Sequence, residues 1–318
     1  MILLWGLPGD APLAHVRGAL NRIGRPSTLL DQRAVLQTRV EPSTGTVCTP
    51  DTTFQLAAVT AAYLRPYDSR LAPAVRLAGV DSPAWRHTLA VDDALWTWAD
   101  LTPALVVNRP AAMASNNSKP YQATVIRAAG FHIPETLITT DPDAARDFWR
   151  EHGVVVYKSI SGVRSIVSRL NPGDLQRLGR LVWCPTQFQE YISGTDYRVH
   201  VVGAQLFACE IRSRADDYRY ASGQGETIDI LPCALPDDCA GRCRALAAAL
   251  ELPVAGIDLR RTAADEWYCF EVNPSPGFSF FQRTTHQPID DAIARLLATG
   301  RLTARSGLTP APPGDPRQ

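Results

Sequence analysis

The sequence predicts an α/β protein whose C-terminal half is α+β. Residues 1–110 alternate short apolar strands with amphipathic stretches, which is the pattern of a small parallel sheet. From Thr186 onward the pattern changes to hairpins, with one helix near residues 238–250. With 318 residues the chain is long enough for two or three compact domains.

The N-terminal unit, residues 1–110, is predicted from its periodicity. Apolar strands and one amphipathic helix follow each other in chain order, and they are expected at Ile2–Trp5 (strand), 12–23 (helix), Ser27–Leu30 (strand) and an extended segment that ends at Asn108. The sequence therefore predicts an N-terminal α/β domain.

Residues 111–185 are predicted to form a central unit. A helix is expected over residues 119–129, and Pro142 favours the start of the next helix. Gly153 closes that helix before an apolar strand that ends at Lys158. Residues 186–305 are predicted to form a C-terminal unit, and the Pro- and Gly-rich stretch 306–318 a mobile tail.

The overall composition excludes several classes of protein. Basic and acidic residues are equal at 32 each, so the basic excess of a general nucleic-acid binder is absent. No apolar run reaches the length of a membrane span, and the N-terminus lacks the positive region of a signal peptide. We therefore expect a cytoplasmic protein without a membrane partner.

The seven cysteines are odd in number and scattered, which indicates reduced thiols. Cys233, Cys239 and Cys243 cluster loosely, but no histidine or second cysteine pair accompanies them. Because zinc sites need four such ligands at suitable spacing, structural thiols are the better interpretation.

The most informative segment runs from Val254 to Gly277. It reads as two strands around a polar turn, which would place Asp258 directly across from Glu271. Asn273 follows Glu271 by two residues, so both project from one face. The other face would carry apolar residues that form a core surface, namely Ile257, Leu259, Phe270 and Val272.

Two opposed carboxylates about 5 Å apart repel by about 3–4 kcal/mol at an effective dielectric near 20. A fold seldom keeps such a pair unless a proton or a cation resolves it. Carboxylate and amide oxygens are the ligands that Mg²⁺ prefers. The sequence therefore favours a metal site over the alternative, an exposed acidic strand face.

Four motifs in order resemble the ATP-grasp superfamily, in its branch near glutathione synthetases and the ligases that add glutamate to ribosomal protein tails. They are VVVYKSISG, QFQEYISGTDYRVHVVG, GIDLR and EVNPSPG, and they span roughly residues 115–280. The resemblance implies an ATP-grasp architecture in which the central unit and the C-terminal unit clasp ATP. Residues 1–110 would form the domain that precedes them.

The resemblance also implies roles for individual residues. Asp258, Glu271 and Asn273 would hold two Mg²⁺ ions on the ATP phosphates, with Mn²⁺ as an alternative metal. Lys158 would contact the nucleotide's phosphate and adenine edge, and Lys119 would make an earlier nucleotide contact. A solvent-exposed lysine is the alternative at both positions.

The same resemblance places the nucleoside. The main chain at Glu190, Tyr191 and Ile192 would meet adenine, and Asp196 would accept hydrogen bonds from the ribose hydroxyls. Arg219 resembles a further contact to ATP. The loop SISGVRSIV has a single glycine where relatives often have several, although its serines and Arg164 could still meet phosphate.

Two arginines match positions that neutralise the transferred phosphoryl group, Arg198 and Arg212. A two-residue turn at residues 203–204 would pair Arg198 with Cys209 and send Arg212 to the opposite face, so a bulge would be needed to bring them together. His200 shares a strand face with Arg198. We interpret it as a hydrogen-bonded strand histidine, with substrate contact as the alternative.

The resemblance implies a carboxylate–amine ligase that forms an amide or peptide bond through an acyl phosphate and releases ADP. The carboxylate and amine would belong to amino acids or peptides, and a homo-oligomer is allowed. Two other functions stay open: an ATP-dependent kinase acting on a small alcohol, and a nucleotide-binding regulatory protein without catalysis.

Overall fold

The structure is a computed structural model that describes residues 1–160, 167–213 and 228–300. The predicted mobile tail, 306–318, lies outside these residues. The described chain contains four β-sheets and nine α-helices, besides several 3₁₀ segments. It has no helix with the length and apolar character needed to span a bilayer.

The N-terminal sheet is parallel, as the sequence predicts. Its four strands have the order β2–β1–β6–β7, and they are β1 Ile2–Gly6, β2 Ser27–Asp31, β6 Ala61–Arg65 and β7 Leu105–Val107. Helices α1 Ala11–Arg22, α2 Pro73–Ala78 and α3 Pro83–Leu101 lie between these strands in the chain, with a small antiparallel sheet of β3 Arg39–Glu41, β4 Thr46–Cys48 and β5 Thr53–Gln55. Because the long strands are parallel, their carboxyl ends meet at one edge.

The second sheet has the order β10–β9–β11–β8. Its strands are β8 Thr136–Thr139, β9 Val155–Ser159, β10 Ser168–Arg169 and β11 Thr186–Glu190. Helix α6 Pro142–His152 and the 3₁₀ segment Pro172–Trp183 pack on this sheet, whereas α4 Pro110–Met113 and α5 Lys119–Ala128 precede it in the chain and pack toward the third sheet. The helix predicted over 119–129 and the helix start at Pro142 are confirmed. Strand β11 pairs with β8 and β9, so residues 186–190 belong to this sheet, beyond the unit boundary predicted at 185.

The third sheet is antiparallel, with the order β14–β13–β12–β15–β16. Its strands are β12 Thr195–Val202, β13 Gln205–Arg212, β14 Asp229–Cys233, β15 Val254–Arg261 and β16 Trp267–Asn273. Three helices accompany it: α7 Asp237–Ala249, α8 Ser279–Thr285 and α9 Ile289–Thr299. The predicted change to hairpins after residue 186 is confirmed for the strands of this sheet.

The hydrophobic cores join the first and third sheets and leave the second by itself. One core combines residues of β1 and α1 with residues of β12, β15 and α9, for example Leu4, Leu13, Val254 and Ile293. The second sheet packs instead on its own small cluster, which includes Ala145, Val155, Leu178 and Phe188. An ion pair strengthens the first junction, because Arg22 on α1 bonds Asp290 at 2.8 Å and Asp291 at 2.9 Å on α9.

Strand β16 lies at the edge of its sheet, and residues from elsewhere cover that edge. The side-chain amide of Gln122, on α5, donates to the Val272 carbonyl (2.8 Å) and accepts from the Val272 N–H (3.0 Å). The main chain of His132 bonds Trp267 and Cys269 in the same way. These contacts satisfy the open edge and fix the strand in place.

Candidate active site

The hairpin of β15 and β16 brings the predicted metal ligands together. Asp258 pairs directly with Glu271, as the sequence predicts, and Gly256 pairs with Asn273. All three polar side chains are only partly buried, whereas Ile257 on the opposite face is fully buried. The hairpin therefore presents two carboxylates and one amide on a single face above an apolar layer.

The prediction that Phe270 belongs to the core surface of the hairpin is wrong. The register shifts between Asp258 and Leu259, so that Leu259 pairs with Cys269 and the intervening Phe270 is an extra residue. This bulge turns the Phe270 ring toward the polar face, where it lines a cavity beside Glu271. Cys269 occupies the core position instead, with 1% of its surface exposed.

Each carboxylate has a basic partner. Arg198, on the neighbouring strand β12, pairs with Asp258 at 2.6 Å, and its side chain is only 7% exposed. A Cβ at Gly256 would collide with the Arg198 guanidinium, so the glycine of the GIDLR motif leaves room for that side chain. Lys119 Nζ lies 2.5 Å from Glu271 Oε1 and 3.0 Å from Asn116 Oδ1. The structure thus places Lys119 at the carboxylate pair.

Asn273 is held in a defined orientation. Its Oδ1 accepts a hydrogen bond from the Ser275 N–H at 2.9 Å, which fixes the side of the amide that carries the oxygen. Two carboxylates and one oriented amide oxygen fit Mg²⁺, which prefers oxygen ligands, better than a softer metal. The residues present therefore suit the ion that the sequence predicts.

The cysteines do not form a metal site among the described residues. Cys239 and Cys243 are fully buried on α7, and all seven cysteines are free thiols. In the described part of the chain, no group of three His, Cys, Asp or Glu side chains is placed to hold a metal ion. The magnesium candidate differs from such a group because its third member is an amide.

A cavity between the second and third sheets adjoins the carboxylate pair. Its lining combines residues of both sheets: Val156, Lys158, Val167, Gln189, Glu190, Tyr191, Ile192, Asp196, Tyr197, Asp258, Leu259, Arg260, Phe270 and Glu271. The predicted nucleotide contacts Lys158, Asp196 and 190–192 thus meet two of the predicted metal ligands, Asp258 and Glu271, in one cleft. The chain has only two lysines, and Lys158 and Lys119 both lie here.

Arg260, which was not among the residues predicted for the site, organises this cleft. Its guanidinium binds both oxygens of Asp196, at 2.7 and 2.9 Å, and donates to the Ile192 carbonyl at 2.7 Å. It also lies over the rings of Tyr191 and Phe270, at 5.6 and 5.2 Å. A signal was present in the sequence, because Arg260 follows Asp258 by two residues and so shares its strand face.

The segment predicted to meet adenine is already partly bonded within the protein. The Glu190 N–H donates to the Glu135 carbonyl at 3.0 Å, and the Tyr191 N–H donates to the Val154 carbonyl at 2.9 Å. The Glu190 carboxylate accepts from the Glu135 N–H at 2.9 Å. These bonds hold the segment against the second sheet and commit two of its N–H groups to protein partners.

The structure does not bring Arg212 to Arg198. The register of β12 and β13 is unbroken from Val202 to Asp196, and it pairs Arg198 with Cys209. Because side chains alternate between faces, Arg212 projects from the opposite face, where it is exposed and bonds Glu210 at 2.7 Å. No bulge intervenes, so the two arginines lie on opposite faces of the sheet, as a regular two-residue turn predicts. The predicted phosphoryl contact of Arg212 stays a prediction, without Arg198 beside it.

His200 is enclosed beside Arg198. Its residue is 1% exposed, and its ring packs against Phe281 with centroids 5.2 Å apart. Burial, and then the charge of Arg198, hold the pKa of His200 well below its ordinary value, so the imidazole is neutral. Its Nε2 has no hydrogen-bond partner among the described residues, which corrects the interpretation of a hydrogen-bonded strand histidine.

Arg219 and the middle of the serine-rich loop, residues 161–166 with Arg164, lie outside the described residues.

A cleft between two sheets, with an acidic pair and an amide at one end and lysines beside them, is the arrangement that the ATP-grasp resemblance predicts. The profile of the RimK-like ATP-grasp domain matches residues 116–297, more than half of the chain. The chain belongs to this family. A search of curated protein sequences finds no match.

Solved structures of ATP-grasp ligases share the fold over nearly the whole chain. The ligase PsnB, complexed with a minimal precursor, Mg and ADP, is 25% identical with a TM-score of 0.76, covering 94% of this chain and 97% of PsnB. The macrocyclase MdnC of Microcystis aeruginosa MRC, bound with precursor peptide MdnA, is 23% identical with a TM-score of 0.79, covering 94% and 99%. A RiPP-associated ATP-grasp ligase of Chryseobacterium gregarium, in complex with ADP and a leader and core peptide, is 23% identical with a TM-score of 0.79, covering 94% and 96%.

These findings confirm the predicted ATP-grasp fold and the prediction of an ATP-dependent ligase. The predicted roles of individual residues stay predictions.

Proposed function

We propose that this chain is an ATP-dependent carboxylate–amine ligase that forms amide bonds within a ribosomally made precursor peptide. The proposal is carried by one observation: Asp258, Glu271 and Asn273 share a sheet face at the end of the cleft that Lys158 lines. The similar structures with bound precursor peptides support a peptide as the substrate. The free thiols fit a cytoplasmic enzyme.

The reaction would proceed in two balanced steps. A carboxylate oxygen of the peptide attacks the γ-phosphorus of ATP, which gives an acyl phosphate and releases ADP. An amine nitrogen then attacks the acyl carbon, the carbon–oxygen bond to phosphate breaks, and the amine loses a proton. The products are an amide, ADP and phosphate, and the peptide loses one water.

The protein's part is to position the reactants and to neutralise their charge. Mg²⁺, held by Asp258, Glu271 and Asn273, would neutralise phosphate charge when bound. Arg198 bonds Asp258 at 2.6 Å beside the proposed metal ligands, and it would neutralise charge on the transferred group. Lys158 would meet phosphate from the side of the second sheet.

The test is to identify the nucleotide products. The purified chain is given ATP, Mg²⁺ and a panel of synthetic peptides that carry both acidic and lysine side chains, with the same peptides lacking lysine as the matched control. We expect ADP and phosphate, and a peptide lighter by one water for each amide. AMP as product would exclude the acyl-phosphate route. A phosphorylated hydroxyl would indicate a kinase, and nucleotide binding without product a regulatory protein.

A further inference from the structure

The carboxyl edge of the N-terminal sheet contacts the segment that follows Asn273. Asn108, just after β7, is 2% exposed, and its side-chain amide donates to the Val254 carbonyl at 2.7 Å and to the Pro274 carbonyl. Its Oδ1 accepts from the Val254 N–H at 3.2 Å. A single buried side chain from the first sheet thus joins the start of β15 to the end of the β16 segment.

Arg65, the last residue of β6, makes the second contact. Its Nη1 donates to Ser275 Oγ at 3.0 Å and to the Pro276 carbonyl at 3.4 Å. Its Nε lies 2.6 Å from Asp10, whose side chain is 4% exposed and caps helix α1. The guanidinium is therefore anchored on its own domain and reaches across to residues 275 and 276.

Together these bonds hold three consecutive residues, Pro274, Ser275 and Pro276, to the first sheet. Both prolines are buried, which limits the backbone freedom of this segment further. The Ser275 N–H orients the Asn273 amide oxygen at 2.9 Å. Arg65 and Asn108 thus act on Asn273 through one short, rigid bridge.

We propose that Arg65 and Asn108 are positioning residues for the metal end of the site, acting through the 274–276 bridge on Asn273. The inference rests on the proposed function, because it needs Asn273 to hold a metal. Both residues precede the segment 116–297 that the family profile matches. The N-terminal unit would then serve metal binding as well as any recognition of the peptide.

We expect this role because a metal ligand binds well only when a hydrogen-bond partner holds it in the binding orientation. Losing such a partner costs 10–100-fold in metal affinity in other proteins, although the ligand itself stays. Without Arg65 the Ser275 side chain loses its anchor, and the Asn273 amide samples orientations that direct its N–H₂ toward the metal. Nucleotide contacts on the second sheet are untouched by this change.

The test measures metal binding apart from turnover. The full chain, saturated with ADP, is titrated with Mn²⁺ by calorimetry, and ADP affinity is measured separately in EDTA. We expect Arg65→Ala to raise the Mn²⁺ Kd about tenfold, with ADP affinity in EDTA unchanged within about twofold. Arg65→Lys keeps the charge and should recover part of the loss.

A matched control and a milder variant make the result decisive. Arg22→Ala removes ion pairs between the same two units, to Asp290 and Asp291, and should leave Mn²⁺ affinity unchanged. If Arg65→Ala fails to fold, Ser275→Ala is the deciding variant, because Ser275 is exposed and the change removes only its hydroxyl. We expect this variant to raise the Mn²⁺ Kd about two- to fivefold.

Two failures are distinguishable. A parent chain that binds no Mn²⁺ in the presence of ADP would remove the metal site of the proposed function, and this inference with it. A parent that binds Mn²⁺, with folded Arg65→Ala and Ser275→Ala variants of equal affinity, would overturn the positioning role alone.

Discussion

Replacing Glu271 by glutamine tests the central assignment, because it removes one charge while keeping the shape. Glu271 faces Asp258 across the hairpin and lies 2.5 Å from Lys119. A unit charge pair at about 4 Å is worth about 4 kcal/mol at an effective dielectric near 20, and the amide oxygen retains part of that interaction. A loss of about 3–4 kcal/mol in the transition state corresponds to about 10²–10³-fold in turnover.

The fold should tolerate this change. The Lys119 and Glu271 side chains are 22% and 25% exposed, so solvent screens their attraction, and we expect the unfolding free energy to fall by about 1 kcal/mol or less. Asp265→Asn is the matched control, because it also neutralises one acid of an ion pair in the same hairpin, with Arg261, but far from the cleft.

The assay follows ADP release with ATP, Mg²⁺ and a peptide found in the product screen. ATP affinity is measured in parallel with Mg²⁺ and with EDTA, and Glu271→Gln should abolish most of the difference that Mg²⁺ makes. Turnover within about twofold of the parent at saturating Mg²⁺, in a folded variant, would refute the metal assignment.

Three further predictions address the cleft and the N-terminal unit. Lys158→Ala should raise the Kd of ADP about tenfold in calorimetry, because the lysine lines the cleft; unchanged affinity would return it to the role of a strand end. Arg260→Lys should also weaken ADP binding several-fold while thermal unfolding shifts little, since lysine cannot bind both oxygens of Asp196, and equal affinity would contradict this role. The third prediction concerns Asp92, on helix α3, where burial raises the pKa of the carboxyl to about 6, above its ordinary 3.8. The unfolding free energy should therefore fall as pH rises from about 4 to above 6, because the folded protein must then bury a charged carboxylate. Asp92→Asn should be more stable by about 1–2 kcal/mol near pH 7.5 and equal near pH 3, measured by denaturant unfolding, and a constant difference at both pH values would contradict the reasoning.

The sequence predicts well which side chains share the polar face of the site, because that arrangement depends only on residues close together in the chain. Asp258, Glu271 and Asn273 belong to one hairpin, and strand alternation with a short polar turn determines their faces. Where alternation continues unbroken, as between β12 and β13, it also predicts the pairing of Arg198 with Cys209. Such features depend on near neighbours in the chain.

Other features depend on contacts that no local pattern encodes. The bulge that turns Phe270 outward is a single extra residue, and it cannot be told from regular alternation until the partner strand is known. Arg65 and Asn108 meet the 274–276 bridge across long sequence separations, so only the packed fold reveals them. Lys119 is similar, since its partner Glu271 lies 152 residues further along the chain.

The arrangement of the cores has a consequence for motion. The first and third sheets share one hydrophobic core, so sliding them apart would expose buried residues such as Leu4 and Ile293 to water. The second sheet packs on a separate cluster and adjoins the third mainly across the cleft. A hinge motion costs the least free energy where few apolar contacts must break. Closure over a nucleotide would therefore move the second sheet as a lid, while the metal-ligand hairpin and the N-terminal unit stay together as its fixed base.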